Sequence, residues 1–206
     1  AGKSTLVGLR PRLYDVTEGS ITLEGVDIRK FSQGDLRAAI GYVPQKALLF
    51  SGTIEGNLRW GRQGASGEDL ARAAETAQAA GFVAGLEKGL GAYVAQGGGN
   101  FSGGQRQRLA IARALVRKAP VYIFDDSFSA LDLKTDAALR QALKGYTADS
   151  TVLVVAQRVS TIMQADRIIV LDGGRMAGIG THRELLETCP AYREIAESQL
   201  RKEGSA

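Results

Sequence analysis

The run Val121-Tyr122-Ile123-Phe124 constrains this chain more than any other segment. Its four side chains are all β-branched or aromatic and leave no polar face to show to water, so the segment reads as a strand covered on both sides. Such strands belong to parallel sheets flanked by helices. A second run, Val152-Leu153-Val154-Val155, follows after a helical pattern over Lys134 to Leu143, which makes a strand, helix and strand unit. The fold class is therefore α/β, and 206 residues suffice to bury its core without disulfide or metal support.

The rest of the pattern surrounds this unit. Thr22 to Glu24 and Val26 to Ile28 read as a hairpin around Gly25, and Ile40 to Val43 as a strand ended by Pro44. From Gly52 to Lys118 the periodicity is helical, over Ile54 to Trp60, Leu70 to Ala80, Phe82 to Leu86 and Gln105 to Arg117. Arg167 to Leu171 and Arg175 to Ile179 flank Asp172-Gly173-Gly174 as a hairpin, and His182 to Lys202 reads as helix. This organisation predicts a core built from residues 1–51 and 119–181, a helical subdomain over 52–118 and a helical tail over 182–206. No run approaches the ~18 apolar residues of a spanning helix. The formal charge of +4, with one modest basic cluster from Arg106 to Lys118, is too weak to point to nucleic acid. A single cysteine, Cys189, excludes an internal disulfide and a CxxC pair, which fits a reducing compartment.

Glycine supplies 26 residues without any repeat, a usage that serves tight turns and close backbone approach to a ligand. Gly2-Lys3-Ser4-Thr5-Leu6 is the back half of the phosphate-binding pattern G-x-x-x-x-G-K-[ST], so the chain reads as cut inside that motif. In this reading backbone N–H groups hold phosphates, Lys3 meets the outer oxygens and Ser4 offers a hydroxyl to Mg²⁺. The pentapeptide fits an ordinary capped turn equally well. Asp125 and Asp126 end the apolar strand, as a strand does when it presents an acid to a nucleotide's metal, although many strands end in acids. Between these halves lies Asn100-Phe101-Ser102-Gly103-Gly104-Gln105-Arg106-Gln107-Arg108, where Ser102 can cap a helix and two glycines let N–H groups approach an anion.

With Ser102-Gly103-Gly104-Gln105 in that position, the sequence resembles the nucleotide-binding domain of ABC transporters along essentially its whole length. The resemblance implies a P-loop NTPase (RecA-like) core with a parallel sheet plus an ABC α-helical subdomain, its first strands and adenine-stacking aromatic missing. It implies ATP and Mg²⁺ as cofactors, with Gly2, Lys3, Ser4 and Thr5 on the phosphates and Ser4, Gln45 and Asp125 toward the metal. Ser102, Gly103, Gly104 and Gln105 would serve the nucleotide of a second such domain. Tyr42-Val43-Pro44-Gln45 resembles the Q-loop; on its own Gln45 is a polar loop residue. Ser129-Ala130-Leu131-Asp132 resembles the D-loop, which reaches the dimer interface; on its own Asp132 could start the next helix. Phe50 to Leu58 resembles the exporter form of the segment after the Q-loop, and Gly180 to Leu186 the closing segment, where His182 would be structural. These likenesses imply ATP-driven export of a small molecule, drug or lipid at the cytoplasmic face of the cell membrane. The transmembrane domains would lie in the same full-length chain, with no nucleic acid as partner.

The departures carry as much meaning. Asp126 stands where the family has a catalytic glutamate, and Gln157 where it has the switch histidine. A base must sit within about 2.6–3.2 Å of its proton, so the shorter side chain is a poor base. Glutamine carries no positive charge and cannot shuttle a proton. Both changes weaken the step assigned to Asp126, Gln157 and Gln45, which implies the degenerate half of a heterodimeric exporter rather than a homodimer in which Asp126 still works. Lys46 and Gln96 replace acids that face the transmembrane domains in many exporters. The rival readings are a soluble ABC ATPase of DNA maintenance or translation, for which no coiled-coil insertion is visible between Gln45 and Phe101, and a non-hydrolysing regulatory module. With half its phosphate loop absent, the segment alone is expected to bind ATP feebly.

Overall fold

The computed structural model describes residues 2–203. At its centre is a three-stranded parallel sheet in the order Ile40–Val43, Val121–Asp125, Thr151–Val155. The middle strand pairs with both neighbours, Ile40 opposite Val121 and Val121 opposite Thr151, and all five of its residues are buried. The expectation of cover on both faces holds for this strand and fails for Thr151–Val155. That strand is paired on one side only among the described residues, and Val152 is 39% exposed. Position in the sheet decides exposure here, because both runs are apolar throughout.

Side chains alternate across the middle strand and feed two separate cores. Tyr122 and Phe124 join the larger cluster, which includes Leu109, Ile111 and Leu115 of the helix Gly103–Val116. Val121 and Ile123 join the smaller one with Val7, Ile28, Leu36, Ile40 and Val155. The helix Gly103–Val116 packs on helices Ile54–Arg59 and Gly67–Thr76 as well as on the strand Ile40–Val43, so it ties the helical region to the sheet. Close approach is needed at Gly61, where a Cβ would lie 2.1 Å from the Arg113 carbonyl oxygen. The Tyr122 hydroxyl accepts from Ala119 N–H at 3.1 Å, and burial pushes its pKa up to about 12.

The region 52–118 departs from the helical expectation in two ways. Gly52–Thr53 pairs antiparallel with Tyr93–Val94, so a short two-stranded ladder sits among the helices. The helix read over Leu70 to Ala80 runs over Gly67–Thr76 and ends early because Gln78 turns left-handed (φ 58°), and the next, read over Phe82 to Leu86, starts sooner, at Ala80–Ala84. Ser66 and Asp69 cap the first of these reciprocally, and Asp69 also pairs with Arg62 and Lys118.

Elsewhere the boundaries shift. The early hairpin is shorter than expected, Thr22–Leu23 with Val26–Asp27, and leads into a 3-10 turn over Ile28–Lys30. The helices Lys3–Gly8, Gln33–Ala38, Leu133–Tyr146 and Val159–Ile162 complete the core, and the hairpin Ile168–Asp172 with Arg175–Gly180 slips register between Val170 and Leu171. The tail is two helices, His182–Thr188 and Pro190–Glu203. Pro190 cannot donate to a continuing helix and holds Cys189 extended (φ −118°, ψ 101°). The His182 ring meets the Tyr192 hydroxyl at 2.7 Å and packs edge-on to its ring, bridging the two tail helices in the structural role expected of it.

Gly61→Ala should destabilise the fold by about 1–3 kcal/mol in urea denaturation through overpacking. Gly64→Ala, with nothing within 4 Å of the added carbon, should stay within about 0.5 kcal/mol. Above pH 10.0 an unfolded tyrosine releases its proton before the buried Tyr122 does, so stability should fall as pH climbs toward about 12. Tyr122→Phe should flatten part of that fall while costing about 1–3 kcal/mol at neutral pH, because Ala119 N–H loses its acceptor.

Candidate functional site

The site grows from the C-terminal end of the middle strand. Asp125 closes the strand and Asp126 turns left-handed (φ 48°), a conformation that aspartate tolerates better than most residues, with its N–H donating to Val155 O at 2.9 Å. The reversal sends the two adjacent carboxylates to different partners. Asp125 Oδ1 accepts from Ser4 Oγ at 2.8 Å, and its Oδ2 accepts from Tyr42 OH at 3.3 Å. Asp126 Oδ2 accepts from Gln157 Nε2 at 2.6 Å and from Gln45 Nε2 at 3.1 Å. Both carboxylates are buried, at 4% and 8% exposure, so each hydrogen bond replaces water the group would otherwise need.

The loop after the strand is fixed from within. Ser127 Oγ donates to Val43 O at 3.1 Å, which joins this loop to the residues just before Gln45, and Ser129 Oγ donates to Asp126 O at 3.0 Å. Gly2, in a left-handed conformation (φ 91°), precedes the helix Lys3–Gly8 and accepts at its carbonyl from Leu6 N–H. Gly2, Lys3, Ser4, Thr5, Gln45, Asp126, Val155 and Gln157 line one cavity of about 210 Å³. Residues separated by more than a hundred positions in sequence thus share a single concave surface, with Asp125 joined to its rim through Ser4. A wider groove of about 380 Å³, lined in part by Leu13, Phe50, Trp60 and Arg113, shares no residue with it.

The remaining sequence-predicted residues lie outside that cavity. Ser102 caps the helix Gly103–Val116 in a reciprocal box, its Oγ accepting from Gln105 N–H at 3.2 Å while Gln105 Oε1 accepts from Ser102 N–H at 2.9 Å. Gly104 lies against the Ala130 carbonyl, 3.3 Å from where its Cβ would stand, which sets the helix start beside the segment 129–132. Asp132 caps the helix Leu133–Tyr146, its carboxylate accepting from Thr135 N–H at 2.9 Å and Thr135 Oγ1 at 2.7 Å. Within one chain, then, Ser102 to Gln105 and Asp132 form a surface separate from the cavity that holds Lys3, Gln45 and Gln157.

Sequence reasoning missed Tyr42 as a partner of Asp125. Its hydroxyl lies one residue before the strand's last position, and the raised pKa of about 12, caused by burial and then by Asp125, keeps it a donor. The alternation of Ile40–Val43 could have flagged it, since a tyrosine there faces the neighbouring strand's acid. Among the described residues no cluster of His, Cys, Asp or Glu is built to hold a metal by itself. The Ser4 hydroxyl and Asp125 carboxylate nevertheless bring two hard oxygens within 2.8 Å of each other, a donor set that suits Mg²⁺ supplemented by water and phosphate oxygens.

Comparison with known proteins identifies the family and the fold. The family model described as ABC transporter matches residues 1–129. An uncharacterized ABC transporter ATP-binding protein of Mycobacterium tuberculosis is 51% identical over 202 residues, covering 97% of this chain and 34% of that protein. A putative multidrug export ATP-binding/permease protein of Staphylococcus aureus is 43% identical over 198 residues, covering 96% and 34%. The structure of a bacterial Atm1-family ABC exporter with ATP bound superposes with a TM-score of 0.94 at 42% identity, covering 97% of this chain and 35% of that one. The chain therefore spans about a third of the length of these relatives. ABC ATPases as a family bind ATP with Mg²⁺ and hydrolyse it, and the α/β P-loop architecture with its parallel sheet is the one found here. The chain is an ATP-binding domain of exporter type and belongs to the ABC transporter family.

Proposed function

We propose that this domain powers export by holding ATP between itself and a second ABC domain, and that its own site retains nucleotide and turns over slowly. The observation that carries the reading is the pair of amides on Asp126 Oδ2, at 2.6 Å and 3.1 Å. A bound Mg²⁺–ATP supplies a γ-phosphoryl group open to attack by water. Lys3 and the N–H groups of the loop it belongs to would hold the phosphates, while Ser4 and Asp125 would face the metal. Asp126 would have to take a proton from water with a side chain one methylene shorter than glutamate, held in place by Gln45 and Gln157 through one of its two oxygens. Gln157 orients by hydrogen bonds but moves no proton. The groups that would hold charge are therefore kept, while the proton acceptor is one methylene short and has no proton shuttle beside it.

The surface from Ser102 to Gln105 with Asp132 supports the second half of the proposal. It lies apart from the cavity of its own chain, so it can complete a site only on a partner domain, and its residues show no defect. We propose a heterodimer in which this surface serves the partner's competent site. The transmembrane domains would belong to the same full-length chain, as the ATP-binding/permease relatives support, and would hold this domain at the cytoplasmic face of the membrane. The exported molecule would be a small molecule, drug or lipid. The core and helical subdomain would follow the boundaries read from the sequence.

In the natural full-length protein, Asp126→Glu should raise ATP turnover about tenfold or more, because a ~1 Å misplacement of a reacting group costs on the order of 10²-fold. Unchanged turnover would mean that the base is not the defect, and equal hydrolysis at both sites of the assembled transporter would sink the asymmetric reading. Ser4→Ala should weaken Mg²⁺-dependent ATP binding by at least about 10-fold. Binding of ATP in the presence of a chelator should stay within about twofold of the parent, as read by fluorescent-nucleotide titration.

A further inference from the structure

One contact joins the tail to the nucleotide site across 42 residues of sequence. Gln199, on the helix Pro190–Glu203, places Nε2 2.7 Å from the Gln157 carbonyl oxygen and Oε1 2.7 Å from Val159 N–H. Only one orientation of the amide satisfies both groups, since a carbonyl needs a donor and an N–H needs an acceptor. Val159 opens the short helix Val159–Ile162, whose cap residue, Arg158, offers no side-chain bond, so Gln199 supplies the cap that the local sequence lacks. On the other side of the same segment, Arg140 donates to Ser160 O at 3.1 Å while paired to the buried Asp136. The backbone around Gln157 is thus held from two helices, and the Gln157 side chain that emerges from it donates to Asp126 at 2.6 Å.

We propose that Gln199 is a positioning residue of the nucleotide site: its amide bridges Gln157 O and Val159 N and thereby keeps the Gln157 side chain on Asp126. The proposal rests on the reading of Gln157 as part of that site. Two bonds from one side chain to the backbone flanking Arg158 fix both the position and the rotation of this short segment, which one bond alone would not do. Displacement of the helix Pro190–Glu203 would free the segment, lengthen the reach from Gln157 to Asp126 and loosen the cavity wall that Gln157 forms. The tail is in this way mechanically continuous with the site.

The test compares Gln199→Ala, Gln199→Glu, Gln157→Ala and the Gln157→Ala/Gln199→Ala double variant in the natural full-length protein, by amide hydrogen exchange and by ATP turnover at this domain's own site. Gln199→Ala should speed exchange at Val159 by about tenfold or more. At this domain's own site, read by single-site turnover, it should lower the rate about three- to tenfold, with ATP affinity within about twofold. Gln199→Glu keeps an acceptor for Val159 N–H and loses the donor to Gln157 O, so its exchange should stay near the parent while its turnover falls part of the way. In the Gln157→Ala background, adding Gln199→Ala should change turnover by less than about twofold, since neighbours that act as one unit are not additive. Equal losses from Gln199→Ala in both backgrounds would show a merely structural contact, and unchanged exchange at Val159 would show no clamp at all; either overturns the proposal. If Gln157→Ala by itself leaves turnover and nucleotide binding unaltered, the nucleotide-site reading of Gln157 fails instead, and the exchange rate at Val159 still decides whether the clamp exists.

Discussion

The buried ladder of Val121–Asp125 with a parallel neighbour on each side is the interaction on which the other features depend. Because that strand is paired along both edges from Val121 to Phe124 and Asp125 is still paired with Val155, its C-terminal end cannot move without unpairing the sheet. The carboxylates that follow are therefore presented from a rigid edge. Ser4 and Tyr42 on one carboxylate, and Gln45 and Gln157 on the other, arrive from elements that pack against the same strand or follow its partners. The larger core cluster, on the Tyr122 and Phe124 face, also holds the helix Gly103–Val116, so one strand positions both the cavity and the separate capping surface at Ser102.

How much of this was legible depended on range. Ser102 as a cap could be read from Ser-x-x-Gln alone, because a capping box is closed by residues three apart, and it forms as the pattern requires. The middle strand was legible because its composition permits no exposed face. Val152 was misread for the same reason: the run is equally apolar, and nothing local distinguishes the middle of a sheet from its margin. The break at Gln78 was hidden because glutamine favours helix, and only the neighbouring packing rewards a left-handed residue there. The convergence of Gln45, Asp126 and Gln157 was available only through family resemblance, since no spacing rule connects residues 81 and 31 positions apart. The Gln199 contact had no signal of either kind.

The two halves of the chemistry stand in contrast. In the proposed reading the groups that would bind charge, Lys3, Ser4 and Asp125, keep the family's residue types, whereas Asp126 and Gln157, which would act on a proton, depart from them. Binding and cleavage draw on different physical properties: the first needs oriented dipoles and opposite charge, the second needs a lone pair free at the right distance. On that reading a domain could lose the second and keep the first, because the adjacent carboxylates of Asp125 and Asp126 have separate partners.

The reciprocal box at Ser102 has one more consequence. Its hydroxyl accepts from Gln105 N–H and still has its own hydrogen to give, while the glycines that follow are already in helical register. An anion arriving from a facing protomer would find the donor immobilised and the surrounding backbone set, with no disordered loop to arrest. The entropy surrendered when two such domains close would then come mainly from the relative tumbling of whole bodies, which makes closure depend on how the domains are tethered more than on how their loops are tuned.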